Sequence, residues 1–197
     1  MAEQQKQKAP RRRLTADQSR RLILEATERV LKTQGYAALS VRRVAAEAGM
    51  KTPLLHYHFA TTEDLLIAFY RHVADKHRRN VAAALASDRP IRALWDINTN
   101  SDSGQLMGEM IGLGHRDEAV RAELAAFVEE FRNIQAQAFE SALRDHPALG
   151  DACTPDAAIF VLTAIATALV TDRGVGIAAG HSDSIAFVQW CIDRLEP

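Results

Sequence analysis

The chain has 197 residues, 47% apolar and 25% charged, enough for one compact unit or a small domain joined to a larger one. Its two cysteines, Cys153 and Cys191, form no CxxC pair, which excludes a disulfide framework or a thiolate zinc site; both are expected to pack as small apolar side chains. The formal net charge of −1 conceals a division, because residues 1–80 carry 16 Lys+Arg against 8 Asp+Glu, whereas residues 81–197 carry 8 Arg, no Lys and 17 Asp+Glu.

A basic segment attracts polyanions, and an acidic neighbour limits where they settle, although two ordinary solvated surfaces would give the same counts. Aromatic content is only 6%, and alanine-rich stretches separate the glycines and prolines, which points to an all-α fold. Residues 1–13 are basic and glutamine-rich, with the triplet Arg11-Arg12-Arg13 and no apolar stretch behind it. They read as a mobile tail rather than a signal peptide.

Thr15 or Asp17 can cap a first helix in which Ile23, Ala26, Thr27, Val30 and Leu31 recur at helical spacing, and Gly35 supplies its stop. Ser40 caps a short second helix with Val41, Val44, Ala45 and Ala48 inward, ended by Gly49. After the turn at residues 49–51, Thr52 is expected to cap a third helix with Pro53 at its first position, where the missing amide hydrogen costs nothing. Two short helices joined by a glycine-containing turn form the pattern of a helix-turn-helix.

Thr61, with Asp64 three residues on, opens a long fourth helix to about Leu85, with Leu65, Leu66, Phe69, Tyr70 and Val73 inward. Then come a short helix over residues 91–97, a polar loop over 98–104 and a helix over 106–113. A long helix over 118–144 ends at His146-Pro147, and two last helices cover 156–171 and 184–195. The apolar run 157–170 is broken by Thr163 and Thr167 and falls short of a membrane span, so no membrane partner is expected. The glycines at 174, 176 and 180 follow no strand, and so read as a helix end and turn rather than a phosphate loop.

Enzyme signatures are missing from the sequence. No glutamate is followed by histidine three residues later, there is no HExxH or GxSxG, and His72 and His77 are five apart, off the i, i+4 ligand spacing. Neither a metal site nor a cofactor is expected.

Residues 39–59, LSVRRVAAEAGMKTPLLHYHF, followed by Thr61-Thr62-Glu63-Asp64-Leu65-Leu66, closely resemble the DNA-binding end of the TetR family of repressors, and the likeness covers about residues 15–75. It implies nine to ten helices: a three-helix DNA-binding domain over 15–62, with the helix-turn-helix at about 39–58, and a connecting, effector-binding and dimerisation part over 63–197 behind a basic tail, 1–14. The function implied is that of a cytoplasmic, nucleoid-associated bacterial repressor. It would bind a palindromic operator in double-stranded DNA as a homodimer, and a small, mostly apolar effector would release it. A corepressor-type regulator, or a DNA protein of the same fold without an effector, are the alternatives.

Thr52, Pro53, Leu54, His56, Tyr57 and His58 offer short side chains, donors and rings on the recognition helix, while Leu55 and Phe59 are assigned to the core. Arg42 lies where the tetracycline repressor uses an arginine to read guanine, and its donors suit the guanine O6 and N7 acceptors. Arg43 beside it can hold phosphate. His56 stands where tyrosine is common in the family, and Lys51 and Leu54 where a capping serine and a threonine are common. Thr61 and the amides after it should grip a phosphate, with Thr62 replacing a common lysine. The arginines of the tail either enter the minor groove or make no contact.

Trp95, Met107, Met110, His115, Phe127 and Phe131 are the candidate effector-pocket residues, although core packing explains the same side chains. For the dimer interface the candidates are Phe160, Val161, Ala164, Ala168, Ile185, Val188, Gln189 and Ile192 on the last two helices, along with Ala157.

Overall fold

A computed structural model describes residues 15–146 and 152–197. The basic tail of residues 1–14 and the stop expected at Pro147 lie outside the described residues. Nine α-helices and no strand make up the described chain, so the fold is all-α.

The head comprises α1 (Ala16–Gln34), a 3-10 turn (Tyr36–Ala38), α2 (Val41–Glu47) and α3 (Thr52–His58). Thr15 closes a capping box with Gln18 at the start of α1, and Gly35, at φ 72°, ends it in a conformation open to glycine. Ser40 caps α2 by accepting from the Arg43 amide at 3.2 Å. Gly49, at φ 65°, turns the chain toward α3.

The start of α3 differs from the sequence reading. Lys51 occupies the N-cap position with extended backbone and makes no side-chain cap bond, while Thr52 already lies within the helix beside Pro53. Helical dihedrals therefore begin one residue early, and the Thr52 hydroxyl is not the cap.

The long helix α4 (Thr62–Leu85) leads from head to body. Its capping box is complete, with Asp64 N–H donating to Thr61 Oγ1 at 3.0 Å and Thr61 N–H donating to Asp64 Oδ2 at 3.1 Å. The body adds α5 (Pro90–Asn98), α6 (Ser101–Gly114), α7 (Glu118–Arg144), α8 (Pro155–Gly174) and α9 (His181–Leu195).

The polar loop expected over 98–104 is mostly helix, since α6 begins at Ser101. Asn98 Nδ2 and Thr99 Oγ1 donate back to the Leu94 and Trp95 carbonyls, both at 2.8 Å, which closes α5 so tightly that the chain re-enters a helix three residues after its end. Gly176 and Gly180, both at positive φ, make the turn between α8 and α9.

Two cores follow from this layout. The upper one joins Ile23, Val44, Leu55, Phe59, Leu65 and Phe69 of the head with Met110, Leu113 and Val120, so the ends of α6 and α7 are packed into the head. The lower one gathers Val81, Ile91, Leu94, Trp95, Phe131, Phe139, Ile159, Leu162, Val188 and Ile192. Two guanidinium–carboxylate pairs tie α4 to α7, Arg71–Glu123 at 2.6 Å and Arg78–Glu130 at 2.9 Å. Both partners advance by seven residues, so the two helices run parallel there.

At the far end of the body, Glu196 accepts from the Ile91 and Arg92 amides at 2.6 and 3.0 Å, while Arg89 and Arg92 each donate to Asp193 at 2.7 Å. The C-terminal segment thereby supplies the N-terminal cap of α5, which has no local one.

Helix α8 is 20 residues long with a mean hydropathy of 1.5, long and apolar enough to cross a membrane, and only 28% of its apolar window is buried. The helix is thus longer than the apolar run 157–170 suggests, and Thr163 does not interrupt it, because its hydroxyl donates to the Ile159 carbonyl at 2.8 Å. One side of α8 packs inward through Ile159, Leu162, Ala166, Leu169 and Val170, and the other presents Phe160, Val161, Ala164 and Ala168 to solvent.

Candidate nucleic-acid interface and interior cavity

Leu55 is fully buried and Phe59 nearly so, and they pin α3 against the head. That fixes which side of α3 faces out: Pro53, Leu54, His56 and Tyr57 are exposed, Tyr57 at 79%, with Thr52 half-buried. His58 is half-buried and turned between the Tyr57 and Phe59 rings, at 5.2 and 6.4 Å between centroids. Lys51, Thr61 and Arg42 are exposed nearby, and Thr62 is half-buried.

Arg42 and Arg43 differ in their attachments. Arg43 Nε donates to Gln34 Oε1 at 2.8 Å, and its terminal nitrogen lies 3.9 Å from Glu47, which also pairs with Arg29 at 3.0 Å. Among the described residues Arg42 makes no ion pair or hydrogen bond, so its five donors face solvent beside α3. At the start of α4 the capping box already uses the Thr61 and Asp64 amides, leaving the amides of Thr62 and Glu63 and the Thr61 hydroxyl hydrogen for an incoming anion.

Below the head lies a cavity of about 430 Å3, within the size range of small-molecule sites. Its apolar wall is formed by Met107, Met110 and Ile111 of α6 and by Phe127, Val128 and Phe131 of α7. Val73 of α4 and Ile97 of α5 add to it, and the polar part of the wall comes from Glu28 and Lys32 of α1, Lys76, His77 and Asn80 of α4, Asn98 of α5, Arg132 and Gln135 of α7, and Thr163 and Thr167 of α8. The cavity therefore touches the head directly through α1.

His77 packs its ring edge-on against Phe131 at 4.6 Å and near Phe127 at 5.9 Å, and burial there pushes its pKa below the usual histidine value. The hydrogen bonds to Glu123 and Glu130 hold the Arg71 and Arg78 guanidinium groups more firmly in the charged form.

Of the pocket residues expected from sequence, the structure brings Met107, Met110, Phe127 and Phe131 together and leaves out two. Trp95 is 3% exposed in the lower core, because it continues the stripe of Ile91 and Leu94 while Ile97 and Asn98, the next turn, face the cavity. His115 is exposed in the turn after α6, which ends at Gly114, and is not on the cavity wall. The polar lining comes from five helices with no motif among them; helical spacing of Arg132 with Gln135, and of Lys76 with Asn80, is the one signal available.

The expected dimer residues also divide. Phe160, Val161, Ala164, Ala168 and Gln189 are exposed, Ile185 is half-buried, and Val188 and Ile192 are buried in the lower core at 7% and 2% exposure. On α9 the side chains at 185, 188 and 192 form the inner stripe, so the outer stripe is a different set. It carries Phe187 and Trp190, 62% and 51% exposed, with rings stacked 6.1 Å apart and Arg194 lying 3.5 Å over Trp190. Sequence reasoning missed that pair, although two large aromatics three apart, off the aliphatic stripe, marked it.

Known proteins resemble the chain in sequence and in fold. Residues 23–69 match the profile of bacterial regulatory proteins of the tetR family. The chain is 35% identical over 110 residues to the HTH-type transcriptional regulator BetI of Rhizobium meliloti (strain 1021), a stretch that spans about half of each protein, 53% of either chain. Among solved structures, a putative TetR-family transcriptional regulator from Rhodococcus sp. superposes with a TM-score of 0.70 at 22% identity, covering 91% of this chain and 98% of that one. A putative transcriptional regulator from Saccharomonospora viridis, in complex with choline, superposes with a TM-score of 0.73 at 18% identity over 88% of this chain and 96% of that one.

Proposed function

We propose that the chain is a TetR-family regulator, as the match of residues 23–69 and the likeness to BetI support, and that it is a sequence-specific DNA-binding transcriptional regulator rather than an enzyme. It acts in the cytoplasm as a repressor, binding an inverted-repeat operator as a homodimer and leaving it when a small effector fills the cavity. The observation that carries the reading is the outward side of α3, with the Arg42 guanidinium beside it, unpaired among the described residues. A side chain that spends none of its donors on the described residues is available to base edges, whereas Arg43, held by Gln34 and Glu47, suits phosphate at most.

Dimerisation is supported by α8, which is apolar on both sides and covered on one. A second copy across a two-fold axis would cover the other, together with the Phe187–Trp190 pair of α9. Two heads then address successive turns of the major groove, about 34 Å apart. The cavity supports a ligand sensor over an effector-independent DNA protein, for which a filled body would be expected. Because α1 lines it, an occupant can bias the head and α4 together, and any difference in its affinity for two arrangements shifts their populations.

Selection from random double-stranded DNA tests the reading. The enriched sites should be inverted repeats, and Arg42→Ala should lose preference for the selected site over scrambled DNA by roughly 10- to 100-fold, the value of one bidentate arginine–guanine contact. Undiminished preference in that variant removes the direct-reading role, and the enrichment of no sequence at all overturns the function.

A further inference from the structure

Resting on the reading of the cavity as an effector site, we propose that its ligand is an organic anion, a carboxylate or close equivalent on an apolar body, received by Arg132 and Gln135 on α7. Gln135 is 2% exposed, and its orientation is fixed by a neighbour. Asn98 Nδ2 donates to the Leu94 carbonyl at 2.8 Å, which can only accept, so the Asn98 amide is set, and its nitrogen also donates to Gln135 Oε1 at 2.7 Å. The Gln135 Nε2 group is thereby left as a donor, and it makes no hydrogen bond among the described residues while lining the cavity. Open to the cavity and spent on no acceptor among the described residues, this amide donor is available to an acceptor atom of a ligand.

Arg132 stands one helical turn away on the same side of α7. Its guanidinium has no carboxylate partner among the described residues and lies 4.7 Å over the Phe160 ring, a contact that leaves its charge unneutralised. Lys76 adds positive charge to the wall, where the one acid among the described residues is Glu28, 3.8 Å from the Lys76 amine. Among the described residues the lining is thus cationic, inside a body that is acidic in sequence, residues 81–197 carrying 17 Asp+Glu against 8 Arg. Phe127, Phe131, Met107, Met110 and Ile111 opposite supply the surface for an apolar body. A quaternary ammonium such as the choline held by the Saccharomonospora viridis structure finds the opposite charge pattern here.

Three probes with one tail and different heads test this: octanoate, octan-1-ol and octyltrimethylammonium, titrated calorimetrically into the full chain below their micellar concentrations. Octanoate should bind at least tenfold more tightly than octan-1-ol, and octyltrimethylammonium more weakly than either. Arg132→Gln and Gln135→Leu should each cut octanoate affinity by fivefold or more while leaving octan-1-ol affinity within twofold. Equal or tighter binding of the ammonium, or an octanoate preference that survives both substitutions, overturns the anionic assignment and leaves the cavity as a ligand site. Failure of all three to bind, or binding unaffected by a cavity-filling Val128→Trp variant with an unchanged melting temperature, overturns both the assignment and the effector reading.

Discussion

Arg42 and Arg43 stand side by side in the first turn of α2, yet their surroundings separate them. Arg43 is braced to Gln34 and Glu47, and removing it takes away exposed polar contacts worth at most about 1 kcal/mol in total. Arg43→Ala should therefore lower DNA affinity similarly for all sequences, through one lost phosphate contact, whereas Arg42→Ala should act on one base position; competition binding against single-base operator variants separates the two. His77 carries a second residue-level consequence. Its depressed pKa means that the unfolded chain takes up the proton first as pH falls below about 6.5. Its contribution to stability is intact above that value and is lost as the pH falls through the folded-state value. Urea midpoints at pH 7.5 and 5.5 should fall less for His77→Phe than for the wild type; an equal fall assigns the acid sensitivity elsewhere.

The elements divide into those closed by their own residues and those closed by distant ones. Thr61 and Asp64 cap α4 locally, and Thr61→Ala should cost about 1 kcal/mol in denaturant unfolding. Helix α5 has no local cap and borrows the Glu196 carboxylate from the far end of the chain, so Glu196→Ala should cost a comparable 1–2 kcal/mol or so. A Glu196→Ala variant with an unchanged unfolding midpoint would contradict the role of the C-terminal segment. Local caps are what sequence reveals: the starts of α1, α2 and α4 were legible in Thr15, Ser40 and Thr61 because each partner lies within three residues. The start of α3 was read one residue late, since nothing in Lys51-Thr52-Pro53 says which residue leaves the extended region first. The early start of α6 was hidden for a related reason, its opening residues being as polar as a loop.

At the scale of the whole molecule, the α3 surface was legible because a short helix pinned by Leu55 and Phe59 leaves only one side to face outward. The cavity was half legible. Its apolar wall lay within runs of hydrophobic residues, but Gln135, Arg132 and Lys76 reach it from helices whose rotation only the assembled bundle fixes. The same rotation moved the outer stripe of α9 from Val188 and Ile192 to Phe187 and Trp190. A Phe187→Glu, Trp190→Glu double variant should shift the chain from dimer to monomer in sedimentation and keep its helical content; a dimer that persists would place the interface elsewhere. The basic head predicts a steep fall of DNA affinity with salt, roughly one power of salt concentration per phosphate contact.

The most direct test of the account is the mass of the protein–DNA complex, measured by native mass spectrometry on an operator obtained by selection. Two α3 helices related by a two-fold axis require two protomers per inverted repeat, or four where two dimers share the site. A complex of one protomer with the full site, stable at physiological salt, would contradict the paired recognition on which the reading rests.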